Sequence, residues 1–251
     1  CVFNEFRQNG EKTRAAREEF EAKITEKKQY MEDLYVLVLD TGAGFAIKAS
    51  RPGSFISVKK PGYSDWYSMP LSVIKSDIEN GYIHIAIKAI SAKSKAVLGE
   101  TEQLSVRGVF RNGIIGLEEV TKVKGPVAVI SKGIGFAAAA HFINSYPDCS
   151  IYIDTDKICR ELVRDYMPQS VRGRINYVNL NEGRNDIAKE LEGYDGAVIA
   201  ASEYFTEYFK EACDENMRIA VLNNCNICCG EGICGACCDS SGNKMCKCCS
   251  R

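Results

Sequence analysis

The hydrophobic rhythm of this chain changes once, near Gly125-Pro126, and that change sets its architecture. Before it, apolar residues come in short alternating runs over residues 20–25, 34–39, 55–58, 71–74 and 82–87, with Gly, Pro, Asp or Ser at the breaks. Alternation with period two places one set of side chains on one face of a strand. Several short strands at this spacing predict a small antiparallel β-barrel. After Gly125-Pro126, apolar strand runs at 127–130, 150–153, 175–178, 196–200 and 218–222 alternate with helical stretches at 137–143, 159–166, 187–191 and 204–213. Such alternation predicts a parallel sheet with helices on both faces. The expected class is an α+β multidomain chain: a charged helical arm (1–19), the barrel (20–122), the α/β domain (123–222) and a tail (223–251). Good helix formers and i,i+4 charge pairs over 11–19 are the reason for reading the arm as helical.

Composition narrows the function classes. With 251 residues and 45% apolar content, the chain can bury one large core or two modest ones. A net charge of −1 gives no long-range pull toward nucleic acid or an anionic membrane. No apolar run reaches the roughly 18–20 residues of a membrane span. No export signal precedes the barrel, and a chain with 13 cysteines and no such signal is expected in a reducing, cytoplasmic setting. The sequence opens on Cys1 rather than Met, so a longer parent chain is also an expectation.

The tail carries the most specific chemistry. Nine of the 13 cysteines fall in the last 27 residues, within CNICCGEGICGACCDSSGNKMCKCC. Cys229, Cys234 and Cys237 have the C-x4-C-x2-C spacing of a plant-type 2Fe-2S loop, which needs a fourth thiolate further on. Cys246, Cys248 and Cys249 are the candidates, and Cys246 follows a turn-forming Ser240-Ser241-Gly242-Asn243. Gly230, Gly232 and Gly235 suit a backbone that must bend sharply between ligands. Two rivals stand beside this reading. Zinc would use Cys225-x2-Cys228 and Cys234-x2-Cys237, but only five residues separate these pairs, against roughly 15–20 in a zinc ribbon. Disulfides suit small secreted chains, and adjacent cysteines such as Cys237-Cys238 pair poorly.

In the α/β half, Gly133-Ile134-Gly135-Phe136-Ala137-Ala138 is a G-x-G-x-x-A match lying after a strand and before a helix. That context is what a dinucleotide fingerprint requires. The glycines allow a tight turn and close approach of a pyrophosphate. Asp154, 19 residues past Gly135, stands where an acidic residue often meets a ribose hydroxyl. The competing reading is that these glycines serve only helix–strand packing.

Barrel, α/β domain and cysteine loop, in that order, resemble the ferredoxin–NADP reductase superfamily. The likeness is strongest to the electron-transfer subunit of dihydroorotate dehydrogenase and to sulfide dehydrogenase-type small subunits. Its most specific part is Cys229-Gly230-Glu231-Gly232-Ile233-Cys234-Gly235-Ala236-Cys237, a full match to that branch's CGxGxCxxC. The resemblance implies FAD on the barrel, NAD(P)H on the α/β domain, a 2Fe-2S cluster on Cys229, Cys234, Cys237 and Cys246, and a partner oxidoreductase subunit. It places flavin contacts at Pro70, Leu71 and Ser72, at Ile87 and Lys88, at Ser94, and at Gly108 in the expected turn out of the barrel. Nicotinamide contacts fall at Gly133, Gly135 and Asp154. Departures are visible. Met69 stands where the family's R-P-x-S has arginine, and Ser91-Ala92-Lys93-Ser94 replaces a GxGT segment. Lys132 replaces a glycine ahead of the fingerprint, and Ala201-Ser202-Glu203 replaces a C-G-P turn. An iron–sulfur scaffold or relay with degenerate flavin and nicotinamide sites is therefore the alternative expectation. His84 and His141, the two histidines, are expected to be structural.

Overall fold

The computed structural model describes residues 17–223. The cysteine tail and most of the expected arm lie outside them. Six strands close the barrel: β1 (Glu18–Met31), β2 (Leu34–Asp40), β3 (Phe55–Lys59), β4 (Met69–Asp77), β5 (Tyr82–Lys88) and β6 (Gln103–Phe110), in the order β1-β2-β5-β4-β3-β6. Glu18 and Glu19 correct the expectation of a helical arm, because they are extended and pair with Gly108 and Arg107. Ladder hydrogen bonds override a weak helical preference there. The same ladder corrects the expected turn at 107–113: Arg107 to Phe110 belong to β6. β1 is also longer than its alternation predicted. It pairs with β6 through its first half and with β2 through its second, so its polar middle stays extended.

Two short helices were not legible in the barrel half. The first, α1 (Ala43–Ala49), buries Phe45, Ala46 and Ala49 against the barrel core. The second, α2 (Ala92–Leu98), buries Val97. The inward residues of the strands, including Leu37, Leu39, Ile56, Val73, Ile85 and Val106, form that core.

The second sheet has the order β10-β9-β8-β11-β12-β7. Its parallel strands are β8 (Val127–Lys132), β9 (Ser150–Asp154), β10 (Ile175–Val178), β11 (Gly196–Ala200) and β12 (Arg218–Leu222). β7 (Ile114–Ile115) adds an antiparallel edge on β12, so the sheet is mixed rather than wholly parallel. The helices are α3 (Leu117–Val120), α4 (Phe136–Ser145), α5 (Arg160–Tyr166), α6 (Arg184–Glu190) and α7 (Glu203–Ala212).

The two halves share a core. Leu34, Val36, Ile74 and Ala86 turn outward from the barrel and join the cluster built by α4, Val129, Ile151 and Val198. This explains why residues 34–39 read as apolar throughout: alternate side chains of β2 serve two different cores. Phe136 through Ile143 of α4 are all buried, since the sheet covers one side and the barrel the other. Polar contacts add to the joint. Lys28 of β1 reaches Asp165 at 2.7 Å and Glu161 at 2.9 Å, Tyr30 donates to Asp165 at 2.9 Å, and His84 shares a 2.9 Å hydrogen bond with Tyr166.

Candidate cofactor sites

On the barrel, the expected flavin strand is in place. Pro70 pairs with Ser57, Leu71 with Ile56 and Ser72 with Phe55 across the β3–β4 ladder. Pro70 is exposed, whereas Leu71 and Ser72 are half-buried. Met69 packs against the barrel core and offers no donor to an anion. Ahead of it, residues 60–68 carry an aromatic cluster. Tyr63 and Trp66 each contact Tyr67 edge-on, at 4.8 and 4.9 Å between ring centroids. Trp66 is 64% exposed.

The next segment is arranged differently from what the resemblance implied. Ile87 is fully buried in the barrel core. Lys88 pairs with Asp33 at 3.3 Å. Ser94 is buried, and its hydroxyl is spent inside the helix cap: it accepts from the Ser91 amide at 2.9 Å and donates to the Ser91 carbonyl at 3.0 Å. The Ser94 amide in turn donates to the Ser91 hydroxyl at 3.1 Å, completing a capping box. Between them, Lys93 extends back toward β4, with Nζ 3.4 Å from the Ser68 carbonyl and 4.9 Å from the Trp66 ring centre. The sequence displayed that lysine but not its reach. Gly108 lies in β6, where an added Cβ would sit 3.2 Å from Ile56 Cγ2, so its lack of a side chain serves barrel packing.

In the second sheet, strand order reverses between β8 and β11, which opens a crevice at their carboxyl ends. A 3-10 turn over Gly133–Gly135 leaves β8 there and feeds α4. Gly133 has φ +58° and open space around it, with Lys157 Cβ the nearest neighbour at 4.0 Å from an added Cβ. Gly135 is different: an added Cβ would lie 2.1 Å from the Ala200 carbonyl oxygen, so its absence lets the turn rest on the end of β11.

Asp154 ends β9 fully buried. Its Oδ2 takes Lys132 Nζ at 2.7 Å and the Leu180 amide at 2.7 Å, and its Oδ1 takes the Asp156 amide at 2.8 Å. The Lys132 ammonium also sits 5.2 Å from the Phe205 ring centre and 3.6 Å from Asp156. The carboxylate expected to meet a ribose is thus occupied from within the protein, and the cation that replaced a glycine is what occupies it.

Two shallow grooves flank edge strand β10. One of about 410 Å³ is lined by Arg160, Arg164, Arg172 and Tyr177. The other, about 700 Å³, is lined by Glu182, Asp186, Glu190 and Tyr152. The histidines sit elsewhere. Burial, aided by the Lys75 charge, pushes His84 down to about 4, and burial pushes His141 down to about 4 against the pull of its 3.1 Å contact with the Ser50 carbonyl. Both are neutral at pH 7. Cys149 is buried, its thiol pushed up to about 11 by desolvation, while Cys159 and Cys213 are half-buried. Among the described residues no group of His, Cys, Asp or Glu is placed to hold a metal. Cys229, Cys234, Cys237 and Cys246 fall outside those residues. Also among them, no helix is long and apolar enough to cross a membrane.

No protein-family profile matches the sequence, and no curated protein matches it. Solved structures do share its three-dimensional form. A chain from the structure of an NADH-dependent reduced ferredoxin-NADP oxidoreductase, described for flavin-based electron bifurcation, aligns with TM-score 0.63 at 17% identity over 86% of this chain and 80% of that one. The H286L mutant of Plasmodium falciparum ferredoxin-NADP+ reductase with 2'P-AMP aligns at 0.58 and 13% identity, covering 81% and 95%. The FAD apo form of the ferredoxin reductase in carbazole 1,9a-dioxygenase aligns at 0.56 and 14%, covering 82% of this chain and 65% of that one. The fold is that of the ferredoxin-NADP reductases. Within this fold, the barrel and the β8–β11 crevice are two separate surfaces.

Proposed function

We propose that the chain is the electron-transfer subunit of a flavin-dependent oxidoreductase, related to the dihydroorotate dehydrogenase and sulfide dehydrogenase-type small subunits. The observation that carries this reading is the closed barrel joined to a parallel sheet in the reductase order, on a chain whose sequence ends in a full CGxGxCxxC loop. In this reading FAD lies along β4 at Pro70, Leu71 and Ser72, beside the turn that follows Ile87 and Lys88. The cluster is held by Cys229, Cys234, Cys237 and Cys246. Flavin chemistry joins a two-electron donor to one-electron carriers, and plant-type 2Fe-2S centres work near roughly −400 mV.

The protein's own part is positioning. The shared core between barrel and sheet holds the two candidate surfaces in a fixed relation. In this reading a nicotinamide dinucleotide lies over the β8–β11 crevice at Gly133, whose positive φ, with Gly135 against the end of β11, shapes the turn. In this reading no side chain is required as acid or base, because the flavin carries the chemistry.

A second reading is favoured by one observation, the internal pairing of Asp154 with Lys132. Here the α/β domain is a scaffold, NAD(P)H does not bind, and electrons reach the chain from its partner subunit. Anaerobic purification followed by a visible spectrum and NADH titration separates the two. Flavin bands with iron–sulfur shoulders that bleach with NADH support the first. The same bands unmoved by NADH, yet reduced by dithionite, support the second. A colourless, iron-free protein overturns both.

A further inference from the structure

We propose that Lys93 supplies the cation that pairs with a flavin dinucleotide's pyrophosphate, in place of the arginine that position 69 lacks, with Trp66 holding the lysine ready. This assignment rests on the flavin reading above. Lys93 stands in the first turn of α2, yet its ammonium lies against the Ser68 carbonyl, immediately before Met69. A positive charge is therefore delivered from a different element to the entrance of β4.

Its neighbours leave that charge available. Lys59 pairs with Asp65 and Lys88 with Asp33, whereas Lys93 has no ion-pair partner among the described residues. The 3.4 Å contact with the Ser68 carbonyl is at the outer limit of a hydrogen bond, and exchanging it for a phosphate oxygen gains a shorter bond to an opposite charge. The Trp66 face, 4.9 Å away, attracts the ammonium and limits where it can wander. The ring packs edge-on against Tyr67, which Tyr63 contacts in turn, and remains mostly exposed. Lysine is a compact point charge rather than a planar fork. The consequence is a pyrophosphate contact without the bidentate geometry of arginine, and an affinity that depends more steeply on salt.

Trp66 is the chain's single tryptophan, so its fluorescence reads this surface directly. The flavin-free full-length chain is titrated with FAD and, separately, with riboflavin, which has no phosphate. Lys93→Ala and Lys93→Gln are expected to weaken FAD about tenfold or more and to leave riboflavin unchanged. Lys93→Arg should bind FAD as the parent does, and Met69→Arg should restore affinity in the Lys93→Ala background. Circular dichroism confirms that each variant is folded, and the two neutral substitutions guard against one of them failing. Unchanged FAD affinity in both overturns the assignment and spares the flavin reading. Equal losses for FAD and riboflavin overturn it too, because the lysine would not be acting on phosphate. A parent chain that takes up neither ligand overturns the flavin reading, and the assignment with it.

Discussion

The ammonium of Lys132 lies 2.7 Å from Oδ2 of Asp154, at the carboxyl ends of the paired strands β8 and β9. The aspartate is fully buried and the lysine side chain is 10% exposed, so neither charge is well hydrated. Removing one partner leaves the other uncompensated, which typically costs about 3–5 kcal/mol. Lys132→Ala is expected near the lower end, about 3 kcal/mol, because two amides still hold the carboxylate. Denaturant unfolding measures this. Adding Asp154→Asn should recover part of the loss, and a single variant as stable as the parent would refute the structural role given to the pair.

Stability should also depend on acid, through the histidines. Both have folded-state pKa values lowered to about 4, so the unfolded chain binds their protons first. Their contribution is fully present above about 6.5 and is lost as pH falls toward 4. Each should cost on the order of 1–2 kcal/mol by pH 5. The surface carboxylates Asp65, Asp77 and Asp165, lowered by Lys59, Asn80 and Lys28 respectively, titrate only below that window. Unfolding midpoints between pH 7 and 5 should flatten in a His84→Gln, His141→Gln variant. A slope equal to the parent's would show that other groups set the pH dependence.

Gly135 makes a sharper steric prediction. Its backbone is helical, so alanine there meets no conformational barrier, but a Cβ would lie 2.1 Å from the Ala200 oxygen. The turn must move off β11, and overpacking of this kind usually costs about 1–3 kcal/mol. Gly135→Ala should lower the unfolding midpoint, while an alanine at the unobstructed, exposed Gly44 should not.

Cys234→Ser tests the tail. On the iron–sulfur reading, iron content and visible colour should fall to background in anaerobic preparations. The far-ultraviolet dichroism should hardly change, since the strands of the barrel and of the second sheet are built within residues 18–222. Retained iron would redirect the ligand set to other thiols.

Much of the fold was legible because burial leaves a periodic trace. Residues 175–178, 196–200 and 218–222 were read with the same limits that β10, β11 and β12 have. What escaped were short helices without an apolar stripe of their own. α1 and α2 are each seven residues, too short for period 3.6 to stand out, and they form because the barrel receives Phe45, Ala49 and Val97. The site was less legible than the fold. Leu71 and Ser72 lie in the strand read over 71–74, and Gly133 and Gly135 in the turn between strand and helix, while Pro70, outside the strand as read, also belongs to β4. Ser94 and Asp154 were expected to face ligands, and both have their polar atoms engaged inside the protein.

The sequence by itself determined the order of parts: short alternating strands, then a strand–helix rhythm, then a cysteine-rich segment. These are local properties, written in periodicity and in distances along the chain. Tertiary structure alone decided which polar groups remain available to a ligand. Lys93 meets Ser68, and Lys132 meets Asp154, only after strands far apart in sequence have paired. Whether a charge is spent on its neighbours or left for a cofactor depends on that pairing, because a Coulombic contact is settled by distance in space and by burial.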